Sequence, residues 1–105
     1  MALALEFAKV YIQDKLHEKK MTHLHVRRQG QSLIIYSHEW DGIANRALLT
    51  RFPGNEFSLC ISDPRGKWQL IQVIGELPDM LEMLIDDLAF ALARWPDERR
   101  HTSVK

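Results

Sequence analysis

The chain has a single cysteine, Cys60, among its 105 residues, so no internal disulfide can staple it, and a reducing compartment suits it. It has no net charge either, with 14 Lys and Arg balancing 14 Asp and Glu. That balance removes the broad positive footprint with which a duplex binder displaces phosphate counterions, and the basic pairs Lys19-Lys20, Arg27-Arg28 and Arg99-Arg100 stand isolated. Long hydrophobic runs are missing too. Met1 to Ala8 is apolar, but Glu6 interrupts it, Lys9 follows, and no basic leader precedes it, so it does not read as a signal peptide. No later stretch is long enough to cross a bilayer, and the expected location is the cytoplasm. There is no glycine-rich phosphate loop and no paired-cysteine metal motif, so no cofactor, metal ligand set or catalytic residue is assigned. A chain this short has little room for both a core and an enclosed active site, which favours binding over catalysis.

What is present is an ordinary globular composition, 46% apolar, and a hydrophobic period that changes twice. From Leu3 to Lys19 the spacing of Ala4, Phe7, Ala8, Tyr11, Ile12 and Leu16 predicts an amphipathic helix. After Met21 come short β-rich runs separated by four turn signals: Gln29-Gly30, Asp41-Gly42, Pro53-Gly54 and Asp63-Pro64-Arg65-Gly66. Four turns imply five strands in an antiparallel meander. Asp63 is placed to hydrogen-bond forward into its own turn. Helical spacing returns at Leu81, Leu84, Leu88, Ala91 or Leu92, and Trp95, with Pro78 in the first turn and Pro96 as the stop. The expected fold is α+β: a two-layer sandwich of a five-stranded meander flanked in sequence by an N-terminal and a C-terminal helix. Residues 1–96 form one domain, and residues 97–105 form a polar tail.

Taking the tightest loop at each turn pairs Val26 with Leu33, Ile35 with Leu48, Leu48 with Leu59, and Ile61 with Trp68. This register gathers Leu24, Val26, Leu33, Ile35, Leu48, Phe52, Phe57, Leu59, Ile61, Trp68 and Leu70 on one nearly all-apolar face. The second face is then mixed, with Ile34, Tyr36, Leu49, Cys60 and Ile71 as an apolar centre and Trp40 at its edge. An apolar middle with a polar rim suits a protein interface, whether with a second copy or with another protein. A charge placed there, as in Tyr36→Glu or Leu49→Glu, is expected to leave the monomer folded and abolish association. The competing arrangement puts one helix on each face and makes both faces core.

Other candidates carry less. His23 and His25 on one strand and His38 on the next suggest a three-imidazole zinc site, but no carboxylate falls beside them to orient the rings. Cys60 is expected to have Ala47 and Gln69 as neighbours, which makes it an inert thiol. Asp79, Glu82, Asp86 and Asp87 read as a solvated helix face, and Trp40 as either a partner of Ile43 or an aromatic anchor. A pocket between helices and sheet would serve a small-ligand binder or enzyme, and Arg27, Arg28, Arg99 and Arg100 would serve a weak nucleic-acid binder. No family motif stands out, and Asp63-Pro64-Arg65-Gly66-Lys67-Trp68 is the most distinctive string. In outline alone, the helix, meander and closing helix resemble small bacterial immunity proteins and secretion chaperones, which implies a partner-capping role.

Overall fold

Leu5, Ala8, Ile12 and Leu16 recur every three or four residues, and their burial on one side fixes Ala2–Glu18 as helix α1. The inward stripe therefore runs through Leu5; Phe7, expected inside, projects to solvent. The helix ends without glycine. Lys20 takes a φ of 66°, its N–H donates to the His17 carbonyl, and Met21 N–H donates to Leu16 at 2.8 Å, closing a Schellman motif. These features come from a computed structural model that describes residues 2–63 and 65–95. The stop at Pro96, the polar tail and the Arg99-Arg100 pair lie outside the described residues.

The four turn signals produce five strands, β1 (Leu24–Gln29), β2 (Ser32–Glu39), β3 (Gly42–Phe52), β4 (Glu56–Ser62) and β5 (Trp68–Gly75), in one antiparallel sheet of order β1-β2-β3-β4-β5. Gly54 (φ 88°) and Asn55 (φ 65°) carry the left-handed residues of the β3–β4 turn, which glycine and asparagine tolerate best. In the β4–β5 turn, Asp63 Oδ1 accepts from the N–H groups of Arg65 and Lys67, both at 2.9 Å, as its side chain predicted.

The register differs from the tight-loop expectation, and the difference turns over two strands. Val26 pairs with Ile35, two residues from the expected Leu33, which leaves the faces of β1 and β2 as expected. Between β2 and β3, Tyr36 pairs with Asn45 but Ile35 pairs with Ala47, so Arg46 is an extra residue in a β-bulge. Beyond the bulge Leu33 faces Leu49 and Ile34 faces Leu48, one residue away from the expected pairing. On β4, Leu49 pairs with Leu59 and Leu48 with Cys60, which restores the expected faces of that strand. On β5, Cys60 pairs with Leu70 and Leu59 with Ile71, inverting the strand relative to expectation. One core row therefore runs Leu33, Leu49, Leu59, Ile71, and a second runs Val26, Ile35, Ala47, Ile61. Leu48, Trp68 and Leu70 go to the opposite face.

The C-terminal helical stretch is not one helix. Leu77–Glu82 forms α2, Met83–Asp87 widens into a π-helical turn in which Leu88 N–H donates to the Met83 carbonyl, and Ala89–Leu92 forms α3. Leu77, Met80, Leu81, Leu84, Ile85, Ala91 and Leu92 enter the core shared with α1, while Leu88 is only half-buried. Helix α1 lies on β1 and β2, α2 on β4 and β5, and α3 on β3. All the described helices thus share one face of the sheet, and the arrangement with a helix on each face does not occur.

The end of α3 is held by two side chains of the sheet layer. Arg46, 1% exposed, donates to the carbonyls of Ala91 (3.1 Å) and Ala93 (2.7 Å), to Ser37 Oγ and to Glu39 Oε2, and its guanidinium lies 4.6 Å from the centre of the Trp95 ring. His23 Nε2 lies 2.7 Å from the Leu92 carbonyl, so Nε2 carries the proton and the buried Nδ1 is left without a partner. Burial lowers the pKa of His23 from its ordinary 6.5; the bond to Leu92 opposes this, and Arg94 and Arg46 reinforce it. An unfolded chain takes up a proton near pH 6.5 that the folded one resists, so this contribution to stability is complete above 6.5 and is lost as pH falls below it. Urea titrations at pH 7.5 and 5.5 should show the wild type weakening at acid pH and His23→Gln weakening less. An equal acid loss in the two proteins would remove His23 as the cause.

Candidate functional site

With the helices on one side, the alternation of each strand decides what the other side presents. The register lines up Arg27, Ile34, Leu48, Cys60 and Leu70 in one row across all five strands. A polar row of Gln29, Ser32, Thr50 and Ser58 borders it, with Ser32 and Thr50 hydroxyls hydrogen-bonded at 2.8 Å. On the other border, His25, Tyr36 and His38 form a triangle of rings with centroids 5.1–5.6 Å apart. Arg27 lies 5.1 Å over the Tyr36 ring and donates to Asn45 Oδ1 at 3.3 Å.

The β4–β5 end of this face is exposed and apolar. Leu70 is 59% exposed and Ile74 60%, and with Phe52 and Ser58 they line an open groove of about 560 Å³. Trp68 borders a smaller depression of about 220 Å³ with Ile34, Leu48 and Asn45. Among the described residues, the outward strand positions carry two charges, Arg27 on the edge strand β1 and Glu56 at the start of β4. A sheet face meant for water usually alternates in Lys, Glu and Thr, and this one does not.

Of the six residues expected at an interface, the structure places Ile34, Tyr36 and Cys60 on the open face, with Ile34 buried and the other two half-buried. Trp40 lies in the β2–β3 turn with its indole exposed, while its expected partner Ile43 pairs with His38. Leu49 and Ile71, expected on this face, lie on the opposite one. Leu49 is fully buried beneath the helices and Ile71 packs against the same core, because the bulge at Arg46 and the β4–β5 register put them on the covered face. The residues missed are their neighbours Leu48 and Leu70, together with Trp68, Phe52 and Ile74. The only hint in the sequence was that apolar residues occupy both parities of β3 and β5.

The chemical alternatives can be tested on this geometry. His23 serves α3 on the covered side, which separates it from His25 and His38; among the described residues no three His, Cys, Asp or Glu side chains gather as metal ligands. Cys60 has Leu48 and Leu70 beside it, not Ala47 and Gln69, and burial pushes its thiol pKa up, which disfavours the thiolate. Arg27 and Arg28 point to opposite sides: Arg27 stacks on the open face, and Arg28 lies 3.9 Å from Glu6 of α1. They form no continuous phosphate-binding patch. A cleft of about 240 Å³ between α1 and the α2–π-turn segment has Tyr11, Leu81 and Ile85 in its walls, with half-buried Lys15 and exposed Lys19, Asp79, Glu82 and Asp86 at its rim. It lacks the convergent buried polar set that orients a substrate.

No family model, curated protein or solved structure matches this chain. No described helix is long and apolar enough to cross a membrane.

Proposed function

We propose that this chain is a protein-interaction module that dimerises through the open face of its sheet. The observation that carries the reading is the exposed apolar surface of Leu70, Ile74, Phe52 and Trp68 on a face whose described outward positions carry only two charges, Arg27 and Glu56. Five strands about 4.8 Å apart, each offering about 20 Å of length, give a flat footprint of roughly 500 Å² per copy. Two such faces bury about 1,000 Å², the lower bound for a specific interface. The near absence of charge favours a second copy as the occupant. Two identical faces can meet without a like-charge clash, whereas a different partner is usually selected and steered by complementary charge that this face does not carry. We place the dimer in the cytoplasm, where Cys60 at its centre would remain a thiol.

Sedimentation equilibrium at micromolar concentration tests this. The wild type is expected to behave as a dimer and Leu70→Glu as a folded monomer, since a carboxylate at an exposed position costs the monomer little but cannot be desolvated in the interface. A wild type that stays monomeric into the high micromolar range overturns the reading.

A further inference from the structure

We propose that this dimer is acid-sensitive, held together by the neutral forms of His25 and His38 and released when they take up protons; this rests on the homodimer reading above. The two imidazole centroids are 5.1 Å apart, and each ring lies against Tyr36 at 5.5–5.6 Å. The groups around them are Arg27 on β1, Tyr36 on β2, and Ile43 and Asn45 on β3, with the Arg27 guanidinium over the same Tyr36 ring. None of these is an anion. The nearest carboxylates in sequence do not compensate: Glu39 is bound to Arg46 and Ser37 beneath the sheet, and Asp41 is exposed in the turn.

Histidine is the side chain whose charge ordinarily changes between pH 5 and 8. In a free monomer both imidazoles are exposed, and water can solvate the added charge. In a face-to-face dimer the same rings are covered, and four added charges must share a low-dielectric layer with two guanidiniums, while the one carboxylate each face offers, Glu56, lies at the start of β4, three strands from His25. Desolvation and like-charge repulsion then act together against the protonated dimer. Protons therefore bind the monomer better than the dimer, and by linkage acid favours dissociation.

The test is the dimer dissociation constant at pH 7.5 and 5.5 at fixed ionic strength, for the wild type and for the His25→Gln/His38→Gln double variant. Far-UV circular dichroism would confirm that both remain folded. The wild-type constant is expected to rise by more than about tenfold at pH 5.5, and that of the variant to change much less. A wild-type dimer of equal strength at both pH values overturns the proposal, as does a double variant that weakens as much as the wild type. A wild type monomeric at both pH values instead overturns the dimer reading itself. A second measurement stands if the double variant fails to pair: calorimetric dilution of the wild-type dimer near pH 6 in buffers of different ionisation enthalpy. Net proton uptake on dissociation supports the switch, and none overturns it.

Discussion

Arg46→Ala is expected to lower the stability of the folded chain by about 3–5 kcal/mol, the cost of breaking a buried ion pair from one side. Small domains have only about 5–15 kcal/mol in total, so the variant should be marginal or unfolded at 37 °C. The size of the effect follows from what the guanidinium serves. It supplies donors to the carbonyls of Ala91 and Ala93 at the end of α3, where a helix leaves its last carbonyls unpaired, and it neutralises Glu39. Burial lowers the pKa of Arg46 from its ordinary value, and Glu39 opposes that shift, so the charge is retained at the cost of desolvation. Removing the side chain leaves a half-buried carboxylate and two unpaired carbonyls while opening a cavity beside Trp95. In urea the transition midpoint should fall by more than about 1 M with its slope preserved. Arg46→Lys should fall between, because an ammonium keeps the charge but cannot reach four acceptors with a planar fork. A shift under about 0.3 M for Arg46→Ala would show that α3 is held by its apolar contacts alone.

The second large effect separates two adjacent leucines. Leu49→Glu is expected to unfold the protein, because it buries a carboxylate at a position with no exposure and removes a side chain from the row Leu33, Leu49, Leu59, Ile71. The loss should exceed about 4 kcal/mol, in the range reserved for unpaired charge in a core. Leu48→Glu, one residue earlier, should leave a cooperative fold within about 1 kcal/mol of the wild type, since its side chain lies on the uncovered face where a carboxylate can reach water. Near-UV circular dichroism with urea titration distinguishes the two. A folded Leu49→Glu beside an unfolded Leu48→Glu would reverse the two faces and remove the bulge at Arg46 from the account.

The origin of that bulge explains how much of the molecule could be read in advance. The element order, the four turns and the side chain of Asp63 turned into its own loop are all local. Each depends on residues within a few positions of one another, and each was legible from spacing and turn chemistry. The inward stripe of α1 was legible to within one residue. The parity of β3 was not, because Ala47-Leu48-Leu49 is a continuous apolar run and either leucine could face the core. The same holds for β5, where Trp68, Leu70 and Ile74 on one parity are as apolar as Ile71 and Val73 on the other.

By itself, then, the amino-acid sequence determined an α+β meander with a helix at each end and a second sheet face too apolar for plain solvent. Only the tertiary structure decided which leucines form that face, that the helices share the other one, and that the last helix breaks at a π-helical turn. The physical reason is range. Periodicity and turns are set by neighbours along the chain, whereas the extra residue at Arg46 is favoured by acceptors as far away as Ala91 and Ala93, which meet it only once the sheet and helices have packed.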